Sequence, residues 1–320
     1  GFAMAVVGFC GFSYVVTPQA ALNMIATDLW TTFSKYGLTV IPLFILMGYL
    51  AFNAGIAERL YDAAYKWVGH WRGGLAIATI AADEMFAAIC GSNTATAATM
   101  GAVALPQMDK YNYDTRLSTG TVVTGGTLGT VMPPSVVLII IGLQTEQSIV
   151  KLFLAGILPA IVLGLLFVVT IIVLCRIYPD FGPAGPKTSL VDKLKSLLGV
   201  IEAVTIFALV IGGLYFGVFT PTEAGAAGVL ITLVVSFTTR KLTWKGFIRS
   251  IGDTLKISCM VYMLVTGAII FGRFLAVTRL PFIVADFAAS LPVSPYVILF
   301  MVMVIYLLGG CFMDSLGFLV

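Results

Sequence analysis

The residues best suited to chemistry in this 320-residue chain lie in polar interruptions of otherwise apolar sequence. The first interruption is Gly91-Ser92-Asn93-Thr94-Ala95-Thr96-Ala97-Ala98-Thr99-Met100-Gly101, a run of small, hydroxyl and amide side chains. The second is Gly125-Gly126-Thr127-Leu128-Gly129-Thr130-Val131-Met132-Pro133-Pro134-Ser135. Unsatisfied backbone groups are costly in hydrocarbon, so such breaks persist only where protein or a watery cavity surrounds them. At a hairpin tip, hydroxyl oxygens and exposed carbonyls can replace the hydration shell of a hard cation such as sodium. The N-terminal end of the following arm can direct its N–H groups at a carboxylate. Ser/Thr/Ala runs also occur where helices merely pack closely. The second break adds consecutive prolines, which remove amide donors, and glycines, which permit close backbone approach. Both breaks are expected to meet at one place, which a packing role does not require. The candidate substrate- or ion-binding residues are therefore Ser92, Asn93, Thr94, Gly125, Gly126, Thr127, Gly129, Met132, Pro133 and Pro134, with Asp314 and Ser315 at a third break.

Acids within apolar sequence are expensive in lipid and are weighed one by one. Asp314 is expected to serve an ion or a gate. Asp83 and Glu84 lie midway along an apolar stretch, where a structural partner and a water-filled crevice are equally open readings. Glu202 is expected at an interface near a helix end, and Glu223 in Pro221-Thr222-Glu223 to stabilise the first turn of a helix. His70, beside Trp71 and Arg72, reads as an interfacial polar residue and not as a ligand or base.

The elements that position these residues follow from composition. The chain is 59% hydrophobic and 10% charged, whereas a soluble domain carries about 25% charged residues. Apolar runs of membrane-crossing or near-crossing length predict helices over 1–16, 38–53, 73–90, 92–105, 117–143 (interrupted), 151–176, 197–217, 221–238, 252–275 and 295–310. Ile56 to His70 alternates apolar and charged residues at helical spacing, as an interfacial helix would. Lysine and arginine favour the cytoplasmic side of short loops. If 92–105 returns to the side from which 73–90 entered, most basic residues fall on one side, from Arg59 through Lys110 and Arg176 to Arg249. Only Lys35, Lys151, Arg273 and Arg279 then fall on the other. Two full spans would weaken that bias, so a re-entrant hairpin is expected. The net charge of +3 is scattered and excludes a nucleic-acid surface. The five cysteines lie in apolar surroundings with no CxxC and no histidine cluster, which indicates neither zinc nor a disulfide framework. Because the chain starts at Gly1 and its last apolar run stops at Val320, it is expected to be a fragment, and no signal peptide can be judged.

Two stretches share one order of parts: a span, a short interfacial helix, then a hairpin arm ending in a polar break. The first uses 38–53, 56–72 and 73–90; the second uses 252–275, 279–291 and 295–310, ending at Asp314-Ser315. By the loop charges the two enter from opposite sides. That is an inverted repeat, a feature of secondary transporters whose sites lie where broken helices meet near the midplane. The returning arm of the second hairpin is expected to lie beyond this sequence.

Seven motifs in order resemble the large membrane subunit of the tripartite ATP-independent periplasmic (TRAP, DctM-like) transporters. They are Ile41-Pro42-Leu43-Phe44-Ile45-Leu46-Met47-Gly48, Arg72-Gly73-Gly74-Leu75-Ala76, Gly91 to Ala97, Gly125 to Gly129, Pro133-Pro134-Ser135, Thr145-Glu146-Gln147-Ser148-Ile149 and Phe219-Thr220-Pro221-Thr222-Glu223-Ala224-Gly225. The likeness reaches Phe312-Met313-Asp314-Ser315. It implies an all-α polytopic membrane protein with an inverted-repeat ion-transporter fold, re-entrant helical hairpins, broken transmembrane helices and an elevator mechanism. On that reading 1–72 holds scaffold helices and the interfacial helix, 73–149 the transport-domain hairpin and broken helix, 150–250 scaffold helices and linkers, and 251–320 the truncated second repeat. The resemblance implies sodium ions as coupling ions and no other cofactor. The implied partners are a small four-helix membrane subunit, a soluble periplasmic substrate-binding protein, membrane lipid and an organic-acid substrate: a C4-dicarboxylate, sialic acid or another sugar acid. The implied location is the cytoplasmic membrane of a bacterium or archaeon.

Ser92-Asn93-Thr94 is also similar to the Ser-Asn-Thr hairpin signature of divalent anion/sodium symporters, in which the triplet contacts sodium and the substrate carboxylate. Carried over to these three positions, it supports ion or substrate contact at the first tip; sodium is expected at Ser92 and Asn93, with Gly126 and Pro133 from the second break. Asp314-Ser315 lacks the triplet, so a matching role at the second tip does not carry over. The nearest alternative is a stand-alone sodium/dicarboxylate or citrate symporter of the same architecture. A neighbouring gene for a secreted binding protein separates the two. An intramembrane enzyme is disfavoured, since HExxH, GxSxG and GxxxxGK[ST] do not occur; the last absence also disfavours an ATP-driven pump.

Overall fold

Small residues decide how the first polar break is held. The computed structural model describes residues 1–239, 241–291 and 293–311. Within it Gly74–Cys90 and Asn93–Lys110 are two helices joined at Gly91 and Ser92. At 1.5 Å per residue each arm is about 25–27 Å long, slightly under a hydrocarbon core. The arms start and finish beside each other: the Leu75 N–H donates to the Tyr113 hydroxyl at 3.1 Å, just past the end of the second arm. Burial pushes the Tyr113 phenol up to about 12, so it stays neutral there. The same base is tied by Gly73 N–H to Gly182 O at 2.8 Å and Asp114 N–H to Phe181 O at 3.1 Å.

In chain order the helices are α1 (Phe2–Val15), α2 (Pro18–Ser34), α3 (Val40–Asn53), α4 (Ile56–Val68), α5 (Gly74–Cys90), α6 (Asn93–Lys110), α7 (Thr115–Gly126), α8 (Leu128–Val131) and α9 (Val136–Gln144). They continue as α10 (Ile149–Ile177), α11 (Leu190–Tyr215), α12 (Pro221–Thr238), α13 (Trp244–Val277), α14 (Leu280–Ser290) and α15 (Pro295–Gly310). No strand occurs among the described residues. Six helical stretches there are long and apolar enough to cross a membrane: Tyr36–Asn53, Thr115–Gln144, Ile149–Ile177, Leu190–Tyr215, Pro221–Thr238 and Trp244–Val277. This is a multi-pass α-helical membrane protein.

The chain divides into two compact units. One is Thr39–Leu255. Its centre is α5, buried along most of its length and packed against α3, α4, α6, α7, α8, α10 and α11. The large buried side chains Phe44, Phe86 and Phe153 fill the core around it. α4 is amphipathic as expected, and its apolar face, with Ile56, Leu60, Tyr61 and Ala64, is buried against protein, chiefly α5 and α11. His70, just beyond α4, lies edge-on to Trp71 with ring centres 5.8 Å apart. The expected cap on α12 is present: Thr220 N–H donates to Glu223 Oε2 at 2.8 Å, and Glu223 N–H to Thr220 Oγ1 at 3.4 Å.

Glu202 departs from its expected place. α11 begins at Leu190, where Ser189 Oγ accepts from Asp192 N–H at 3.2 Å, so Glu202 is mid-helix and pairs with Arg59 of α4. The two side chains are 22% and 16% exposed, so removing either one strands a largely buried charge. Glu202→Ala is expected to cost about 1–3 kcal/mol, read as a lowered thermal midpoint in detergent. The Arg59→Leu/Glu202→Leu double variant should recover most of that loss, since no charge is then left unpaired.

The other unit joins Gly1–Leu38 to the chain from Lys256 onward. It contains α2, a helix the apolar-run reading did not list. Asn23, Thr27, Asp28 and Thr31 interrupt the hydrophobic sequence, and so hide the helix from that criterion. Asp28 is buried and receives a hydrogen bond from Arg273 at 3.3 Å. Gly8 of α1 faces the Phe271 backbone, so the helices touch at main-chain distance. α14 and α15 bury no residue; their apolar surfaces suit lipid, which exerts no hydrophobic pressure to cover them.

Candidate functional site

The two polar breaks within Thr39–Leu255 touch. Gly91 ends α5 in the left-handed region, φ 61° and ψ 17°, and its carbonyl accepts from Val136 N–H at 3.2 Å. The Pro134 carbonyl lies against the Gly91 Cα: a methyl built there would stand 1.9 Å from that oxygen. On Gly129 a methyl would meet the Ser92 carbonyl carbon and oxygen at 2.8 Å and Asn93 N at 3.0 Å. On Gly126 it would meet Ala97 Cβ at 2.6 Å. Three glycines thus bring the backbone of the hairpin tip onto the backbone of the interrupted helix.

Each break is organised locally by its own sequence. Ser92 is extended and caps α6, its Oγ accepting from Ala95 N–H at 3.5 Å and lying 3.2 Å from Thr94 Oγ1. Asn93 Oδ1 accepts from Thr94 N–H at 2.7 Å, leaving the Asn93 amide nitrogen as a donor. In the other break α7 stops at Gly126 and one turn, α8, follows before Met132 turns extended. Ser135 Oγ donates to Thr130 O at 2.6 Å and bridges the unwound stretch. α10 backs it, with Gly156 close to Val131 O and Pro133 Cδ.

Five of the twelve residues named from sequence are therefore brought together: Ser92 and Asn93 with Gly129, Gly126 with the start of α6, and Pro134 with Gly91. Met132, Pro133 and Pro134 are buried, Ser92 and Asn93 half-buried, and Thr94 exposed. Thr127 is exposed and spends its hydroxyl on its own helix, donating to Thr124 O at 2.6 Å. Gly125 faces away from the tip, toward Asp83. Asp314 and Ser315 lie outside the described residues. The arrangement offers hydroxyl and carbonyl oxygens to a cation, and amide N–H groups of Asn93 and the α6 N-terminus to an anion.

Of the acids weighed earlier, Asp83 and Glu84 find no hydrogen-bond partner among the described residues. Asp28 was not singled out, because the partner that marks it stands 245 positions away.

A multi-pass helical protein in which a polar hairpin tip meets a broken helix has the construction of a membrane transport protein. The family model for the tripartite ATP-independent periplasmic transporter, DctM component, matches residues 1–320. The chain is 35% identical over 295 residues to the C4-dicarboxylate TRAP transporter large permease protein DctM of Pseudomonas aeruginosa, covering 92% of this chain and 69% of that protein. It is 31% identical to the protein of the same description in Vibrio cholerae, covering 94% and 71%. It is also 31% identical to the sialic acid TRAP transporter large permease protein SiaM of Vibrio cholerae, covering 95% and 71%. This chain belongs to the DctM family of TRAP transporter large permease proteins. It is a transport protein and not an enzyme.

Proposed function

We propose that this chain is the permease subunit of a sodium-coupled, binding-protein-dependent importer of organic acids. The observation that carries the reading is the backbone contact of the hairpin tip at Gly91 to Asn93 with the break at Gly126 to Pro134. Sodium is held by oxygens of Ser92, Asn93, Gly126 and Pro133, and the substrate carboxylate by the N–H groups beside them. The hairpin of α5 and α6 is re-entrant and, with the broken helix, forms the transport domain over 73–149. Residues 1–72 and 150–250 serve as scaffold, and 251–320 begin an inverted second repeat. The transport domain moves as an elevator in the cytoplasmic membrane of a bacterium or archaeon. A small four-helix membrane subunit and a periplasmic binding protein complete the system, as the family's name for a tripartite periplasmic transporter supports. The substrate is a carboxylate, C4-dicarboxylate or sugar acid, in line with the names of the relatives.

The test is uptake of labelled C4-dicarboxylate and sialic acid into proteoliposomes holding the complete permease, with its binding protein outside. Uptake is expected only with both the binding protein and an inward sodium gradient. Equal uptake with sodium replaced by potassium would defeat the coupling; full uptake without the binding protein would identify a stand-alone symporter instead.

A further inference from the structure

The acids on the first arm of the hairpin are not explained by the tip. Asp83 is wholly buried, and neither of its carboxyl oxygens receives a hydrogen bond from any described residue. Glu84 is half-buried as a residue, yet both of its carboxyl oxygens are buried and equally without a donor. Successive helical positions point about 100° apart, so the two face different neighbours. Asp83 faces α7, where a methyl built on Gly125 would lie 2.0 Å from Oδ2. Glu84 faces α10, where one on Gly164 would lie 2.7 Å from Oε2. Each carboxyl occupies the space that a glycine on the opposing helix leaves open.

Among the described residues no cation hydrogen-bonds to either carboxyl. The charged residues on the helices packed against α5 are Glu58, Arg59, Asp62 and Lys66 on α4, Asp109 and Lys110 on α6, Arg116 on α7, Lys151 and Arg176 on α10, and Asp192, Lys193, Lys195 and Glu202 on α11, and none hydrogen-bonds to Asp83 or Glu84. The cation on α7, Arg116, lies ~13 Å from Gly125 along the helix axis. Those on α10, Lys151 and Arg176, lie roughly 18–20 Å from Gly164. An isolated ionised carboxylate in such surroundings costs far more than a hydrogen bond can return, and the group takes up a proton instead. Two adjacent carboxylates would make that cost larger.

A cavity approaches the pair. A cavity of about 250 Å³ lies between α5, α7 and α10, lined by Ile80, Thr121, Thr124 and Phe167 and carrying Arg116. Ile80 is one helical turn before Asp83 and Glu84 and between the directions the two take, and like Asp83 it packs against Gly125. Thr124 precedes Gly125, and Phe167 is one turn from Gly164. The cavity therefore ends within a turn of both carboxyls, with threonine hydroxyls on its wall.

We propose that Asp83, with Glu84 beside it, is a proton-binding site. While α7 covers it, the carboxyl is a neutral acid. When water from the cavity reaches it, the O–H proton passes to that water, leaving a hydrated carboxylate that is reprotonated before the site dries again. The permease thereby carries a proton-sensitive step distinct from the sodium-binding tip. This inference rests on the transport reading only for its second measurement.

The first measurement is the infrared C=O stretch of protonated carboxylic acids in the purified, lipid-reconstituted chain near pH 7, where ordinary carboxyls are ionised. Wild type is expected to show the band, and Asp83→Asn, which imitates the neutral acid, to lose part of it while keeping wild-type thermal stability. A wild-type spectrum without the band would overturn the proposal even if the variant did not fold. So would a band abolished by adding sodium, which would make the carboxyl a sodium ligand. In uptake, one titrating proton allows a change of up to about tenfold per pH unit. Asp83→Asn is expected to flatten that dependence and leave the sodium requirement intact. An unchanged pH profile in a folded Asp83→Asn would also overturn the proposal.

Discussion

Gly91→Ala is expected to reduce uptake to background while the protein still inserts in the membrane, whereas Gly217→Ala should leave uptake at the wild-type level. Both glycines hold a positive φ, 61° and 70°, where a side chain costs roughly 1–2 kcal/mol. That shared term lowers stability in both variants by a similar, modest amount. The surroundings differ. Around Gly217 nothing lies within 4 Å of an added methyl, while at Gly91 the Pro134 carbonyl oxygen would be 1.9 Å away. Backbone cannot rotate aside as a side chain can, so the tip must part from the break. The Val136 N–H to Gly91 O bond, 3.2 Å, would be lost with it. Insertion depends on the apolar segments, which neither substitution touches. Proteoliposome uptake with thermal melts of both variants checks the pair; wild-type uptake by Gly91→Ala would show that close contact of tip and break is dispensable.

The same contact shows which features were legible in the sequence. The hairpin and the break were readable because each is written locally: an apolar run ends in small hydroxyl residues, and Pro133-Pro134 cannot continue a helix. The cap on α12 was readable for the same reason, since Thr220 and Glu223 stand three residues apart. What escaped was written at long range. The Arg59 to Glu202 pair spans 143 positions and Asp28 to Arg273 spans 245, so no local pattern announces either. α2 escaped because Asn23, Thr27, Asp28 and Thr31 break up its apolar run. That the two breaks meet was an expectation from their shared character, whereas the glycines that permit it, Gly91, Gly126 and Gly129, gain their meaning only from the atoms opposite them.

Asn93→Ala and Ser92→Ala should each abolish sodium-dependent uptake although neither threatens the hairpin. Alanine is the best helix former, so replacing Asn93 in the first turn of α6 leaves the helix sound. Removing the Ser92 cap costs about 1 kcal/mol, and the bond it supplies to Ala95 N–H is already long at 3.5 Å. Loss of function would then come from lost ligand oxygens and donors: the Ser92 hydroxyl beside Thr94, and the Asn93 side chain held by Thr94 N–H at 2.7 Å. A hydrogen bond or ligand contact to a charged group is worth about 1.5–3 kcal/mol, roughly ten- to hundredfold in affinity. If Ser92 serves sodium, raising sodium should restore part of the uptake; if Asn93 serves the carboxylate, raising substrate should do so instead. A tip made of small residues only for close packing predicts the opposite. Alanine is no larger than serine or asparagine, so a packing role would leave both variants at wild-type uptake with unchanged sodium dependence, and that result would remove the tip from the site.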